Sequence, residues 1–301
     1  MKIAKQLIVL VSMAMNLGIQ AQQLPPFTQY MFNTIAINPA YAGSKEVLNV
    51  TALYRDQWLG LEGSPTTGTF SMHAPMKNNR VGLGLSYVRD ELGFENSNFV
   101  YADFAYRLQI SDKATLALGL KAGATNYNLE NPDINDPSYS GDNDIWNPNF
   151  GFGAFLSSDR WYAGVSAPRI LNNDLNEDGI ESLERITYYA FGGFVIDFPL
   201  EMKFKPALMT IFTNGAPATI DFSGSFLFYE RLWLGASYRF NAAANIGAFV
   251  DYQITKNVRL GYAYDLPTTS IRSISGGSHE VFLIFEPRIR KNQLYKAPGY
   301  F

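Results

Sequence analysis

The sequence predicts an all-β protein, an antiparallel transmembrane β-barrel of about fourteen strands with a non-periodic N-terminal segment. Three observations predict it. Hydrophobicity alternates with a period of two through most of the chain. The segments that alternate are about ten residues long, enough for tilted membrane strands. Composition points the same way: 47% of the 301 residues are hydrophobic and 15% aromatic, but only 17% are charged, against roughly 25% in soluble domains. The net charge of −3 offers no basic surface for nucleic acid. With no cysteine, disulfides, thiolate metal sites and cysteine nucleophiles are excluded.

The chain divides into four parts. Lys2 and Lys5 precede an apolar run from Leu7 to Leu17, with the small Ala21 after it, so residues 1–21 read as a secretory signal peptide. The run is too short for a transmembrane helix, which takes about 20 apolar residues. Residues 22–46 have no clean period and form a candidate plug or periplasmic cap. Residues 47–286 form the barrel and 287–301 a periplasmic tail. That tail, with Arg288, Arg290, Lys291 and Lys296, is basic in an otherwise acidic chain and suits either a solvated end or an acidic periplasmic partner.

The strands are expected at 49–58, 66–73, 81–90, 98–108, 115–126, 149–156, 161–166, 186–196, 202–213, 218–228, 232–239, 243–253, 258–265 and 278–285. In the fourth, Val100, Ala102, Phe104, Tyr106 and Leu108 oppose Asp103 and Arg107. In the fifth, Leu116, Leu118, Leu120 and Ala122 oppose Ala117, Gly119, Lys121 and Gly123. In the twelfth, Ile246, Ala248, Val250 and Tyr252 oppose Asn245, Gly247, Asp251 and Gln253. A soluble sandwich would put the apolar set inside; a membrane barrel puts it outside.

The connections favour the barrel. One alternate set is uniformly short, near residues 111–114, 157–160, 197–201, 230–231 and 255–257. The other includes the long stretches 127–148, 167–185 and 266–277, although two of its members, near 214–217 and 241–242, are short. Short periplasmic turns and longer outer loops have this asymmetry, and an even strand count returns both ends to the periplasm. Trp58, Tyr87, Tyr127, Trp146, Trp161, Tyr162, Phe198, Phe228, Tyr229, Trp233 and Tyr264 collect at strand ends, where interfacial girdles form.

Several motifs stand out. They begin with Phe27-Thr28-Gln29-Tyr30-Met31-Phe32-Asn33 and Asn38-Pro39-Ala40-Tyr41-Ala42-Gly43-Ser44, then Tyr54-Arg55-Asp56-Gln57-Trp58 with Gly60, Gly63 and Pro65, and Ser71-Met72-His73-Ala74-Pro75. Pro148-Asn149-Phe150-Gly151, the run from Leu232 to Arg239, the run from Leu260 to Asp265, and Gly277-Ser278-His279-Glu280 follow. In this order they closely resemble the PorP/SprF family of outer-membrane proteins associated with the type IX secretion system of Bacteroidota.

The resemblance implies a non-enzymatic barrel, integral in outer-membrane lipid. Such a barrel captures the C-terminal domain of a secreted cargo, such as a gliding adhesin, and helps hold it at the cell surface. One branch of the family also associates with a periplasmic peptidoglycan-binding lipoprotein. The motif residues Tyr30, Phe32, Asn38, Pro39, Tyr41, Arg55, Gln57, Trp58, His73, Pro75, His279 and Glu280 are the partner-binding candidates. A passive porin for small solutes is the alternative that composition fits equally well, and a soluble secreted β protein a more remote one.

Other chemistry is sparse. The two histidines, His73 and His279, lack neighbours at metal-ligand spacing, and structural hydrogen bonding is expected of both. No nucleophile elbow, P-loop or dinucleotide fingerprint occurs. In the loop after the seventh strand, Asp174, Asn176 and Asp178 before Gly179 begin like a calcium loop, but position twelve is Arg185, with Glu184 one place early. Calcium is therefore the one candidate cofactor. The pairs Gly82/Gly84 and Gly151/Gly153 mean small lumen-facing positions or bends. Asp103, Arg107, Lys121, Asp221, Arg239, Asp251, Arg259 and Asp265 are expected in the lumen, where mixed signs suit cross-lumen pairing or a weakly selective pore. Residues 22–44 are expected in or across the periplasmic mouth, since their aromatics otherwise lack a core.

Overall fold

The computed structural model describes residues 32–76, 79–129, 143–172, 185–241 and 244–287. The alternating segments form β1 (Asn49–Asp56), β2 (Thr66–Pro75), β3 (Val81–Leu92), β4 (Glu95–Ser111), β5 (Ala114–Leu129), β6 (Asn143–Ser158) and β7 (Trp161–Ala167). They continue with β8 (Thr187–Phe194), β9 (Ile196–Phe198), β10 (Met202–Thr213), β11 (Thr219–Phe228), β12 (Leu232–Phe240), β13 (Asn245–Thr255), β14 (Val258–Pro267) and β15 (Ser278–Phe285). Neighbours pair antiparallel, and β15 pairs with β1 to close the sheet. Both β8 and β9 pair with β10, so they are two halves of one stave, and the closed barrel has 14 staves. Between those halves the Val195 N–H leaves the ladder and donates to the Arg160 carbonyl at 2.7 Å.

The apolar set faces out. Leu118, Leu120, Phe104, Phe152 and Ile246 are exposed on the outer face, while Asp103, Ala117, Lys121, Phe155 and Phe249 on the same strands are buried inside. Among the described residues no helix is long and apolar enough to cross a membrane. The strands cross instead, their main-chain hydrogen bonds being made between neighbours in the closed sheet. The seam is tied where the chain enters and leaves it, Asn49 Nδ2 donating to Glu286 Oε1 at 2.8 Å.

Three sequence expectations are corrected. First, β4, β5 and β6 run past the expected ends, to Glu95, Leu129 and Asn143, so residues 127–129 and 143–148 belong to strands and not to a loop. Polar residues there look like loop, but once two strands are in register they keep pairing outside the bilayer. Tyr87 Oη donates to Asn98 at 2.8 Å, Asn98 to Asn126 at 3.2 Å, and Asn126 to Asp144. Second, Tyr127, Tyr162 and Trp233 are buried in the lumen and not in an interfacial girdle, whereas Tyr87, Trp146, Trp161, Phe198 and Tyr229 do point out. The pleat forces this split, because consecutive residues such as Trp161 and Tyr162 must face opposite sides.

Third, the lumen charges pair along the wall instead of across the lumen. Asp103 and Lys121 are register partners on β4 and β5, 2.8 Å apart. Asp221 and Arg239 are register partners on β11 and β12, with a two-pronged contact at 2.7 and 2.9 Å. Arg259 pairs with Asp251 on the adjacent strand. Adjacent strands lie about 4.8 Å apart, well within side-chain reach, whereas the opposite wall does not. Arg55 follows the same rule, pairing with Glu280 on β15 and reaching Asp265 one strand further at 2.9 Å.

Candidate functional site

The residues just before β1 lie inside the barrel. Thr34–Ile37 make one short helix, α1, and Pro39–Tyr41 one 3-10 turn. Neither could stand alone, because short helices need tertiary packing to exist at all. Here Ile35, Asn38, Ala40 and Ala42 are at most 1% exposed. The turn between the two elements is set by Asn38, whose Oδ1 accepts from the Ala40 N–H at 2.9 Å, with Pro39 supplying a fixed φ at the first helical position.

The segment spans the lumen. Phe32 reaches the far wall, stacking on Phe282 of β15 at 4.5 Å and meeting Phe249 of β13 edge-on at 5.9 Å. Lys205 and Arg259 lie over the Phe32 ring at 6.0 and 5.6 Å, a favourable use of two buried cations. From Asn33 onward the segment packs on β2 to β7. Asn33 bonds Thr69 and Ser71, at 3.0 and 2.6 Å. Asn38 Nδ2 donates to the Ala154 carbonyl at 3.1 Å.

Most of the other contacts go to main chain. Lys121 donates to Ile35 O at 3.3 Å, Ser166 to Ile37 O at 2.8 Å, and Arg107 to Gly43 O at 2.7 Å. The Gly43 N–H donates to His73 Nδ1 at 3.1 Å. This close approach depends on the inward-facing glycines. A Cβ at Gly82 would overlap Ala42, one at Gly119 would overlap Pro39 and Ala40, and one at Gly153 would overlap Asn38. Gly43 itself has φ +73°, and a side chain there would press on the Gly82 Cα at 2.8 Å.

The candidate residues read from the sequence separate into groups. Phe32, Asn38, Pro39 and Tyr41 belong to the lumen segment, with Tyr41 edge-on to His73 and Phe155 at 5.4 and 5.3 Å. Tyr30 lies outside the described residues. His73, which accepts from the Gly43 N–H, and Pro75, whose backbone lies against Gly43, form part of the segment's seat, whereas Arg55 and Glu280 form the buried ion cluster with Asp265 towards the loop end. Gln57 and Trp58 follow β1 at that end, where Gln57 N–H donates to Pro65 O at 2.9 Å and Trp58 N–H to Ser278 Oγ at 3.3 Å. His279 is on the outer face, bonded to Tyr262 Oη at 2.6 Å.

The calcium candidates Asp174, Asn176, Asp178 and Glu184 lie outside the described residues, as do the signal peptide and Arg288 to Phe301. Among the described residues no group of three His, Asp or Glu side chains is placed to hold a metal ion. The sequence reading missed Thr69, Ser71 and Ser166 as seat residues. Their only signal was polarity at lumen parity, which many strand positions share.

A closed antiparallel sheet that is apolar outside, ion-paired inside and occupied by its own N-terminal segment defines an integral membrane β-barrel. Residues 19–285 match the family described as type IX secretion system membrane protein PorP/SprF, and the chain belongs to that family. No curated protein matches it. Among solved structures, Acinetobacter baumannii Omp33 is similar at 11% identity and TM-score 0.49, over 81% of this chain and 100% of that one. The CymD monoaromatic hydrocarbon channel is similar at 11% identity and TM-score 0.49, over 90% of this chain and 95% of that one. The KdgM porin is similar at 10% identity and TM-score 0.36, over 79% of this chain and 99% of that one.

Proposed function

We propose that this barrel is a non-enzymatic subunit of the outer membrane that binds the C-terminal domain of a type IX secreted cargo and supports its secretion and surface anchoring. Family membership supplies the system in which it acts. The observation that carries the choice against a passive porin is the filled lumen: residues 32–44 lie across it, bonded to β2, β4, β5, β6 and β7. A solute channel needs a water-filled path, and a segment with Asn38, Ala40 and Ala42 at 0% exposure leaves little of one where it sits. The outer loops and strand ends would then meet cargo. The basic tail, and through it a periplasmic peptidoglycan-binding lipoprotein, would serve the other side.

The test is an affinity pull-down of the tagged protein from its native membrane, followed by mass spectrometry. Recovery of a large secreted protein with its C-terminal domain attached is the expected result. Recovery of the barrel alone, with steady open-channel current in planar bilayers, would turn the assignment to a porin.

A further inference from the structure

We propose that the outer face of the barrel carries a binding site for one phospholipid, its acyl chains seated in a hollow over β7, β8 and β10 and its headgroup on the charged turn beside them. The hollow measures about 760 Å³, within the range of small-molecule sites. It opens on the apolar outer face, on the other side of the wall from the lumen segment, so its surroundings are hydrocarbon.

Strand register makes the hollow. Leu156, Ala163, Gly192 and Leu208 are partners across β6, β7, β8 and β10, and Leu116 of β5 and Phe222 of β11 stand at the two ends of this row. All six point outward, because the pleat gives alternate residues to one face, and the two in the middle have almost no side chain. The next row, Ala154, Val165, Ala190 and Thr210, holds nothing larger than valine. Trp161 and Phe194, also register partners, bound the end next to the short turns. Elsewhere the outer face carries projecting side chains such as Leu118, Leu120 and Phe104, so small residues meeting on adjacent strands leave a trough between ridges.

The depth of the hollow and its rim select the occupant. From Trp161 to Val165 it follows the strand for about 13 Å, close to half of the roughly 30 Å hydrocarbon core. Tyr188 and Phe212, register partners that are exposed on the outer face, rise at its inner end and stop it there. A membrane-crossing segment of a partner needs a groove of full height, whereas the acyl chains of one leaflet need half. With the short turns in the periplasm, as the sequence predicts, this is the periplasmic leaflet. The rim supplies the headgroup chemistry. Arg160, in the turn directly before Trp161, pairs with Asp197, and Lys203 reaches Asp197 and Glu230 at 3.2 Å each. The Arg160 side chain is 65% exposed and that of Asp197 40%, so a phosphate can take the open side of the guanidinium while the carboxylates meet an ammonium. Charges of both signs beside an apolar hollow match a zwitterionic phospholipid such as phosphatidylethanolamine.

The test is native mass spectrometry of the full-length protein extracted in mild detergent. Ala163→Trp fills the hollow, Arg160→Gln removes the phosphate partner, and Val100→Trp makes the same kind of enlargement elsewhere on the outer face. Heat-modifiable migration checks that each forms a barrel. Wild type and Val100→Trp should keep one phosphatidylethanolamine per chain through detergent exchange, and Arg160→Gln should keep less. Ala163→Trp should keep roughly tenfold less, as when about two acyl methylenes lose their burial. Wild-type protein free of lipid, or equal retention in all four proteins, overturns the site. Retention by Arg160→Gln equal to wild type overturns the headgroup contact, and a retained mass belonging to lipopolysaccharide or to the acylated end of a protein overturns phospholipid as the occupant. Should Ala163→Trp fail to form a barrel, wild-type protein in detergent is titrated with phosphatidylethanolamine brominated on its acyl chains. A saturable loss of the emission that Trp161→Phe removes supports the site, and quenching without a plateau overturns it. None of these outcomes bears on the cargo reading, which the pull-down decides by itself.

Discussion

Phe32 and Phe282 stack with ring centroids 4.5 Å apart and planes 21° from parallel. One precedes the first strand and the other lies on the last, so the contact joins the lumen segment to the strand that closes the barrel.

Truncating Phe32 to alanine should therefore loosen the segment and the seam together. Large aromatic truncations in packed sites cost about 3 kcal/mol or more, and Phe32 is only partly buried, so a loss of roughly 2 kcal/mol is expected. Urea unfolding in detergent micelles measures it. A change within error would show that the stack contributes nothing.

Arg55 holds two buried carboxylates, Asp265 and Glu280, each side chain no more than 2% exposed. Arg55→Met strands both charges, and breaking a buried ion cluster in this way costs about 3–5 kcal/mol. Replacing all three with Met, Asn and Gln should recover most of that loss. Heat-modifiable migration across a temperature series reads the order of the three proteins, which should be wild type, then triple variant, then Arg55→Met.

Leu120 is 62% exposed in the middle of β5, while the next residue, Lys121, is charged and buried. The same charge that the lumen accepts should be rejected on the outer face. Leu120→Arg is expected to cost about 2–4 kcal/mol of membrane stability if it sits near the bilayer midplane and to lower the yield of inserted barrel. Normal insertion would argue that this face does not meet lipid.

Lys45 connects the lumen segment to β1. Burial pushes its amine down to about 8 from its usual 10.5, against the opposing influence of Glu286. Between those values the unfolded chain holds a proton that the folded one has released, so stability rises with pH across that window. The thermal midpoint in detergent should climb from pH 8 towards 10.5, and Lys45→Met should flatten that part of the curve. An unchanged slope in the variant would assign the effect to other groups.

What the sequence determined by itself is whatever depends on near neighbours. The two-faced alternation, the number of staves and the short turns follow from a two-residue period and its interruptions, which each strand expresses alone. Asp103 and Lys121 could be placed in the lumen because parity is local, and the family could be recognised from its motifs. Tertiary structure decided what depends on register and on main chain. Which acid meets which base required knowing that Asp103 lies opposite Lys121. The extra length of β4 to β6 came from pairing that polar side chains disguise. The seat was least legible, because Lys121, Ser166 and Arg107 bond to carbonyls that every residue possesses, and Gly119 matters for the side chain it lacks. No pattern of side chains encodes a contact made to backbone, so only the folded barrel shows that residues 33–44 are its occupant.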